Sequence, residues 1–246
     1  MPQYPHFALT LAAFGAIAAA APAAAQVQDR TTYTRNGSAT LNGSTLVLTT
    51  ATNSQVGSAF NPNAFATAGL QSLTATFNYT IDGGNGADGL AFVLQGNGPN
   101  ALGADGGGIG YEGIANSLAA TFRTFQNPGP GVGENGSLDI GHTANSGPRG
   151  THDVTITYVA ATQLFFILLD GTTALTQSNV DLAGLVGPQM YVGFTAGTGG
   201  LDDQHQINSF SFTPIYTVSG VPEPATLALT GAGLLALGVA VRRRRA

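Results

Sequence analysis

The sequence predicts an all-β protein, a single antiparallel β-sandwich, and three observations carry that expectation. Short runs of Val, Leu, Ile, Phe and Thr alternate apolar with polar residues, at the period of two that a half-buried strand requires. Gly, Asn, Asp and Pro interrupt these runs roughly every ten residues, as hairpin turns would. Between the two chain ends no segment carries a helical period. A content of 35 glycines with 9% charged residues would also suit a disordered chain, but disordered chains lack this buried-face alternation.

The elements follow in chain order. Phe7 to Ala25 is an apolar run closing on Ala23-Ala24-Ala25 before Gln26. This is the h-region and small-residue cleavage site of a signal peptide over residues 1–25, although no Lys or Arg precedes it. Residues 26–220 then fit one sandwich domain. With no cysteine, its stability rests on core and ladder rather than on disulfides or thiolate-bound metal. The expected strands are Thr45–Ala51, Ser72–Ile81, Asp88–Gln95, Ser117–Gln126, Asp153–Ala160, Gln163–Leu169, Met190–Ala196 and Ile207–Val218. In the second of these, Leu73, Ala75, Phe77 and Tyr79 alternate with Thr74, Thr76, Asn78 and Thr80. The stretch GADGLAFVLQG differs, because Leu90 to Leu94 read as a strand buried on both faces. Asp88 is the lone carboxylate at its mouth, and a buried charge needs a partner. TITYVAATQLFFILLDG reads as a hairpin about Ala160–Thr162, with Asp170-Gly171 as the next turn. Asn97–Gly110 and Asn127–Gly150 read as long loops, of a length that compact domains reserve for function or disorder.

The last element is a tail over residues 221–246. Pro222-Glu223-Pro224 precedes 17 apolar or small residues, Ala225 to Val241, and then Arg242 to Arg245. The apolar run is just long enough for a transmembrane helix, and the arginines orient it with the domain outside. This order of P-E-P, apolar helix and Arg cluster resembles the PEP-CTERM sorting signal of Gram-negative bacteria that make exopolysaccharide. The resemblance implies processing by an exosortase, transient anchoring in the inner membrane, and a final place at the cell surface or in the extracellular matrix. Ala25, Pro222, Glu223 and Pro224 are the processing residues. Without these two ends, four arginines face twelve acidic residues, a net charge of −8 (4 − 12). Such a domain has no electrostatic footprint for nucleic acid.

ADGLAFVLQ at 87–95, GGGIGYEGIANSLAATFRTFQN at 106–127 and YVGFTAGTGG at 191–200 resemble the legume-type (L-type) lectins, as do GSTLVLTTATNSQVGSAF and INSFSF. The resemblance implies a concanavalin-like jelly roll of two large antiparallel sheets. It also implies a carbohydrate site: Asp88, after a cis peptide bond, accepts from sugar hydroxyls, and one of Gly106–Gly108, with Gly107 and Gly108 preferred, offers a backbone N–H. Asn127 contributes its amide, and Phe125 or Tyr111 stacks on the ring. Carboxylate, amide and N–H together match hydroxyls, which both donate and accept. Asp202 and Asp203 fall in a candidate specificity loop, with a solvated tip as the alternative.

The chain departs from that family where metal binds. The strand positions that carry metal-ligating Glu and Asp in the family are Thr121 and Arg123 here. A guanidinium cannot ligate a cation, so no metal cofactor is expected at that pair; calcium stays open only through Glu134, Asp139 or His142. Arg123 is expected to supply the missing positive charge by pairing with Asp88 or Asp139. An enzyme is not expected. Retaining glycoside hydrolysis needs two carboxyls about 5–5.5 Å apart, and no strand carries two acids at i, i+2. His142, His152 and His205 have no nucleophile motif beside them. Two functions remain: an exported carbohydrate-binding protein acting on exopolysaccharide or a surface glycan, or a non-binding structural matrix protein that uses the sandwich as scaffold.

Overall fold

The computed structural model describes residues 26–144 and 147–217; the expected signal peptide, spanning helix and processing residues lie outside them. The chain opens with β1 (Gln26–Val27), a single 3-10 turn, β2 (Thr34–Gly37), β3 (Thr40–Asn42), β4 (Thr45–Thr49), β5 (Val56–Phe60) and β6 (Phe65–Ala66). The longer strands β7 (Leu70–Asp82), β8 (Gly89–Gln95) and β9 (Ser117–Arg123) follow. Next come β10 (Gly129–Glu134), β11 (Ser137–His142), β12 (Gly150–Val159), β13 (Leu164–Leu169) and β14 (Thr172–Gln177). A short helix α1 (Leu182–Val186), β15 (Gln189–Gly197) and β16 (Gln204–Tyr216) complete the described chain. Among these residues no helix is long and apolar enough to cross a membrane.

The strands form two antiparallel eight-stranded sheets. One runs β14-β13-β12-β7-β16-β4-β3 with β1 added against β16; the other runs β11-β10-β9-β8-β15-β5-β2 with β6 added against β15. Alternation decides which face packs. Leu73, Ala75, Phe77 and Tyr79 of β7 face inward, where the Phe77 ring lies 5.1 Å from Phe194 and 5.8 Å from Phe92. The polar partners Thr74, Thr76 and Asn78 face out, and Thr76 and Ser211 share a hydroxyl hydrogen bond of 2.6 Å. Removing these inward aromatics from water drives the sheets together, at about 25 cal/mol per Å² of apolar surface.

β8 is buried along its whole length because its second face is covered too. Leu90, Phe92 and Leu94 join the core between the sheets. Ala91 and Val93 face the other way, into a second cluster with Phe60, Ile109, Tyr111, Ile114 and Ala119. The segment expected as a loop after Asn97 thus roofs the outer face of the second sheet.

Two expectations need correcting. The long loop Asn127–Gly150 contains the hairpin of β10 and β11. Its GPGVGE strand reads as turn chemistry, yet glycine is needed there for packing: a Cβ on Gly133 would stand 2.5 Å from the Tyr111 ring. The strand expected to run to Gln126 stops at Arg123, since Gln126 and Asn127 adopt left-handed φ of 49° and 68°.

Candidate functional site

Asp88 sits one residue before β8, after a cis Ala87–Asp88 peptide bond. Its N–H donates to Gly197 O at 3.2 Å, and its carbonyl accepts from Thr124 N at 2.9 Å. Both neighbours of β8 therefore grip its backbone: β15 on one side and the end of β9 on the other. The side chain is 5% exposed, and its Oδ2 is buried without a hydrogen bond. A Cβ on Gly199 would come within 3.1 Å of Oδ2 and one on Gly106 within 3.9 Å, so the carboxylate rests against two glycine backbones.

Burial pushes the Asp88 carboxyl above the usual aspartate range; the Arg123 charge and the Gly199 backbone N–H draw it down, and Asp105 pushes it up again. The Gly199 N–H also donates to Leu201 O at 3.0 Å. Arg123 faces Gly89 across the ladder and is 6% exposed, which explains why its charge reaches the carboxylate.

The glycine turn opposite Asp88 spans Gly106–Gly108. Gly106 N donates to Thr198 O at 3.1 Å, Gly108 N to Asp105 O at 3.0 Å and Ile109 N to Gly106 O at 2.9 Å. Among the described residues Gly107 N–H has no acceptor, as the first N–H groups of a helical turn generally do not. Gly107 faces Gln126, whose Oε1 lies 3.5 Å from where a Cβ would stand. Gly108 is different. It is buried, and its Cβ position lies 2.8 Å from Ala104 Cβ, so it serves packing.

Phe125 is 39% exposed in the segment after β9, where an apolar ring is available to a ligand. Tyr111 is not; it is fully buried, bonded to Ser117 Oγ at 2.9 Å, and belongs to the second core. Asn127 is exposed and its carbonyl accepts from His142 Nε2 at 3.0 Å. Because β9 ends at Arg123, neither Phe125 nor Asn127 continues the strand face of Thr121 and Arg123. Gln126 is the residue sequence reasoning missed; its neighbour Asn127 drew attention instead, and no spacing marks the left-handed pair that turns Gln126 toward Gly107.

The aspartate pair resolves differently from a solvated tip. Asp202 is half-buried, but Asp203 is fully buried and bidentately paired with Arg149, at 3.0 Å from Nε to Oδ2 and 2.9 Å from Nη2 to Oδ1. Asp203 is therefore closed to ligands. His205 is also fully buried, its Nδ1 2.7 Å from Thr49 Oγ1, and burial pushes its pKa down to about 4. His152 bonds Asp170 Oδ2 at 2.7 Å, so His142, His152 and His205 each have a structural partner.

The Thr121–Arg123 pair does not offer the ligands of a metal ion, because a guanidinium cannot coordinate a cation. Thr121 is buried on the same face as Arg123, and Glu134 pairs with Leu118 while Arg123 pairs with Gly129. Those positions are five residues apart on β10, roughly 17 Å at strand rise, so Glu134 cannot join Arg123. Among the described residues no three His, Asp or Glu side chains gather as ligands. A groove of about 560 Å³ between Arg30, Phe77, Asp153 and Phe210 opens on the other sheet, and Asp88 does not line it.

Comparison with known proteins supports two parts of this picture. Residues 220–245 match the PEP-CTERM protein-sorting motif. The fold is that of legume lectins: lectin II from Ulex europaeus is similar with a TM-score of 0.69 at 22% identity, covering 79% of this chain and 99% of its own. The lectin from Bauhinia forficata in complex with GalNAc gives a TM-score of 0.69 at 21% identity over the same shares, 79% and 99%. Arcelin-5, a lectin-like defense protein from Phaseolus vulgaris, gives 0.66 at 22% identity, covering 75% of this chain and 93% of its own.

Proposed function

We propose that this is an exported carbohydrate-binding protein, with Asp88 at the centre of its sugar site. The observation that carries the reading is the buried Asp88 Oδ2, which accepts no hydrogen bond. An acceptor left unmet in a water-poor site costs about 1–3 kcal/mol, and a sugar hydroxyl would meet it. Gly107 supplies an uncommitted N–H on the opposite wall, so a carboxylate and an amide together suit a vicinal pair of hydroxyls. Phe125 offers its ring to the apolar face of the sugar, and Gln126 and Asn127 border the turn. Arg123 supplies the positive charge that a metal would otherwise bring, so binding survives EDTA and is lost in Arg123→Ala.

The sorting motif and a lectin fold whose members include a GalNAc complex support a glycan as the ligand class. Export, exosortase processing after transient inner-membrane anchoring, and an exopolysaccharide or surface glycan as ligand belong to the same reading. Binding rather than catalysis is proposed because no strand carries two acids at i, i+2. One observation favours a second reading, an inert matrix scaffold: Asp88 is only 5% exposed. A glycan and polysaccharide array probed with the protein and with Asp88→Asn separates them. The binding reading predicts a discrete set of hits that the variant loses; an empty array, or hits that the variant keeps, supports the scaffold.

A further inference from the structure

Three loops meet beside Asp88: the turn after β7, the turn before β16, and the segment that leads into β12. Asp203 joins all three. Its fully buried carboxylate accepts Arg149 Nε at 3.0 Å, Arg149 Nη2 at 2.9 Å and Gly84 N at 2.9 Å. Arg149 Nη2 also donates to Gly84 O at 2.7 Å. The next residue back, Asp202, continues the seam: its carbonyl accepts Asn85 N at 2.8 Å and Gly86 N at 3.0 Å, and its N–H donates to Asn85 Oδ1 at 2.7 Å. The seam is so tight that a Cβ on Gly84 would lie 2.3 Å from Asp202 O.

What this seam holds is the pair of loops on either side of Asp88. On one side the chain from Gly84 to Gly86 ends two residues before Asp88. On the other, Asp202 is three residues after Gly199, whose backbone walls Asp88 Oδ2. We infer that Arg149 and Asp203 form a positioning pair that closes the loop of Asp88 against the loop of Gly199 and so sets how closely the Gly199 backbone stands to the Asp88 carboxylate. An exposed ion pair would do little of this kind. Here Arg149 is 47% exposed but its partner is wholly buried, and the planar fork binds both carboxylate oxygens and a third loop's carbonyl at once. Lysine keeps the charge but not the fork, so Arg149→Lys tests geometry apart from charge.

That sugar binds at Asp88 rests on the function proposed above; that the pair holds the two loops together does not. The test is therefore backbone hydrogen exchange by NMR on the ligand-free protein, with Arg149→Met, Arg149→Lys and Gly84→Ala. Amides of Gly84, Asn85 and Gly86 are expected to exchange faster by about tenfold or more in all three variants, as local opening does. Amides in the middle of β7 and β12, such as those of Ala75 and Ile156, keep wild-type protection. Unchanged loop exchange in Arg149→Lys and Gly84→Ala overturns the inference, as does acceleration spread evenly over both sheets. If wild type binds a glycan, the same variants lose affinity in proportion to loop opening. If loop exchange responds while no glycan binds wild type, the positioning pair stands and the sugar-binding reading falls.

Discussion

Asp203 and Asp88 lie on loops that touch, and both have lost nearly all their water, with 0% and 5% of their surface exposed. Asp203 accepts three hydrogen bonds, two of them from the Arg149 guanidinium. Asp88 has Arg123 nearby, but its Oδ2 accepts nothing and burial raises its pKa. Burial alone therefore does not distinguish the two aspartates; satisfaction does. On the proposed function, the carboxylate whose valences are met holds the fold, and the one left short is the one a sugar hydroxyl would meet.

The largest effect expected from breaking that contrast is on the satisfied side. Arg149→Met leaves Asp203 buried without its cation and should lower the unfolding free energy by about 3–5 kcal/mol, read from the denaturant midpoint. A loss under about 1 kcal/mol, the range of surface pairs, would mean that Asp203 does not depend on Arg149.

Next in size is the acid response of the same neighbourhood. His205 has a folded pKa of about 4 against an ordinary 6.5, because its ring is fully buried. The unfolded chain takes up the proton first, so the stabilising contribution is complete above pH 6.5 and is lost as pH falls toward 4. The loss amounts to up to about 3 kcal/mol. His205→Gln should flatten the stability profile between those limits, and an unchanged slope would place the acid sensitivity elsewhere.

The smallest effect lies on the unsatisfied side. Gly199→Ala puts a methyl 3.1 Å from Asp88 Oδ2 and 3.2 Å from Gly106 Cα, which the loops can absorb by a slight shift. Stability should change by only about 1 kcal/mol, while glycan affinity falls because the methyl occupies the space beside the carboxylate. Equal affinity in a binding titration would show that this wall does not line the site.

How far the sequence reveals this contrast depends on distance along the chain. β7, β8, β12, β13, β15 and β16 were legible because each carries its own alternation or apolar run, and the Asp170-Gly171 turn is where its dipeptide puts it, with both residues at positive φ. β10 was not, since its glycines make room for Tyr111, a residue outside the strand. Asp88 stood out as one acid in an apolar run. Asp203 did not, because the Asp-Asp pair reads as a specificity loop or a solvated tip and its partner Arg149 lies 54 residues away in a segment read as loop. Local pattern exposes a misplaced charge, but the partner that resolves it becomes visible only once the sheets are stacked.

The most direct test of the account is Asp88→Asn, measured for glycan binding and thermal stability on the same sample. The substitution keeps the shape and removes the buried negative charge. The account predicts a melting temperature equal to or slightly above wild type, a change within about 1 kcal/mol, together with complete loss of binding to whichever glycan the wild-type protein takes. Retained binding, or a fall in stability as large as that of Arg149→Met, would make Asp88 a second structural aspartate and contradict the account.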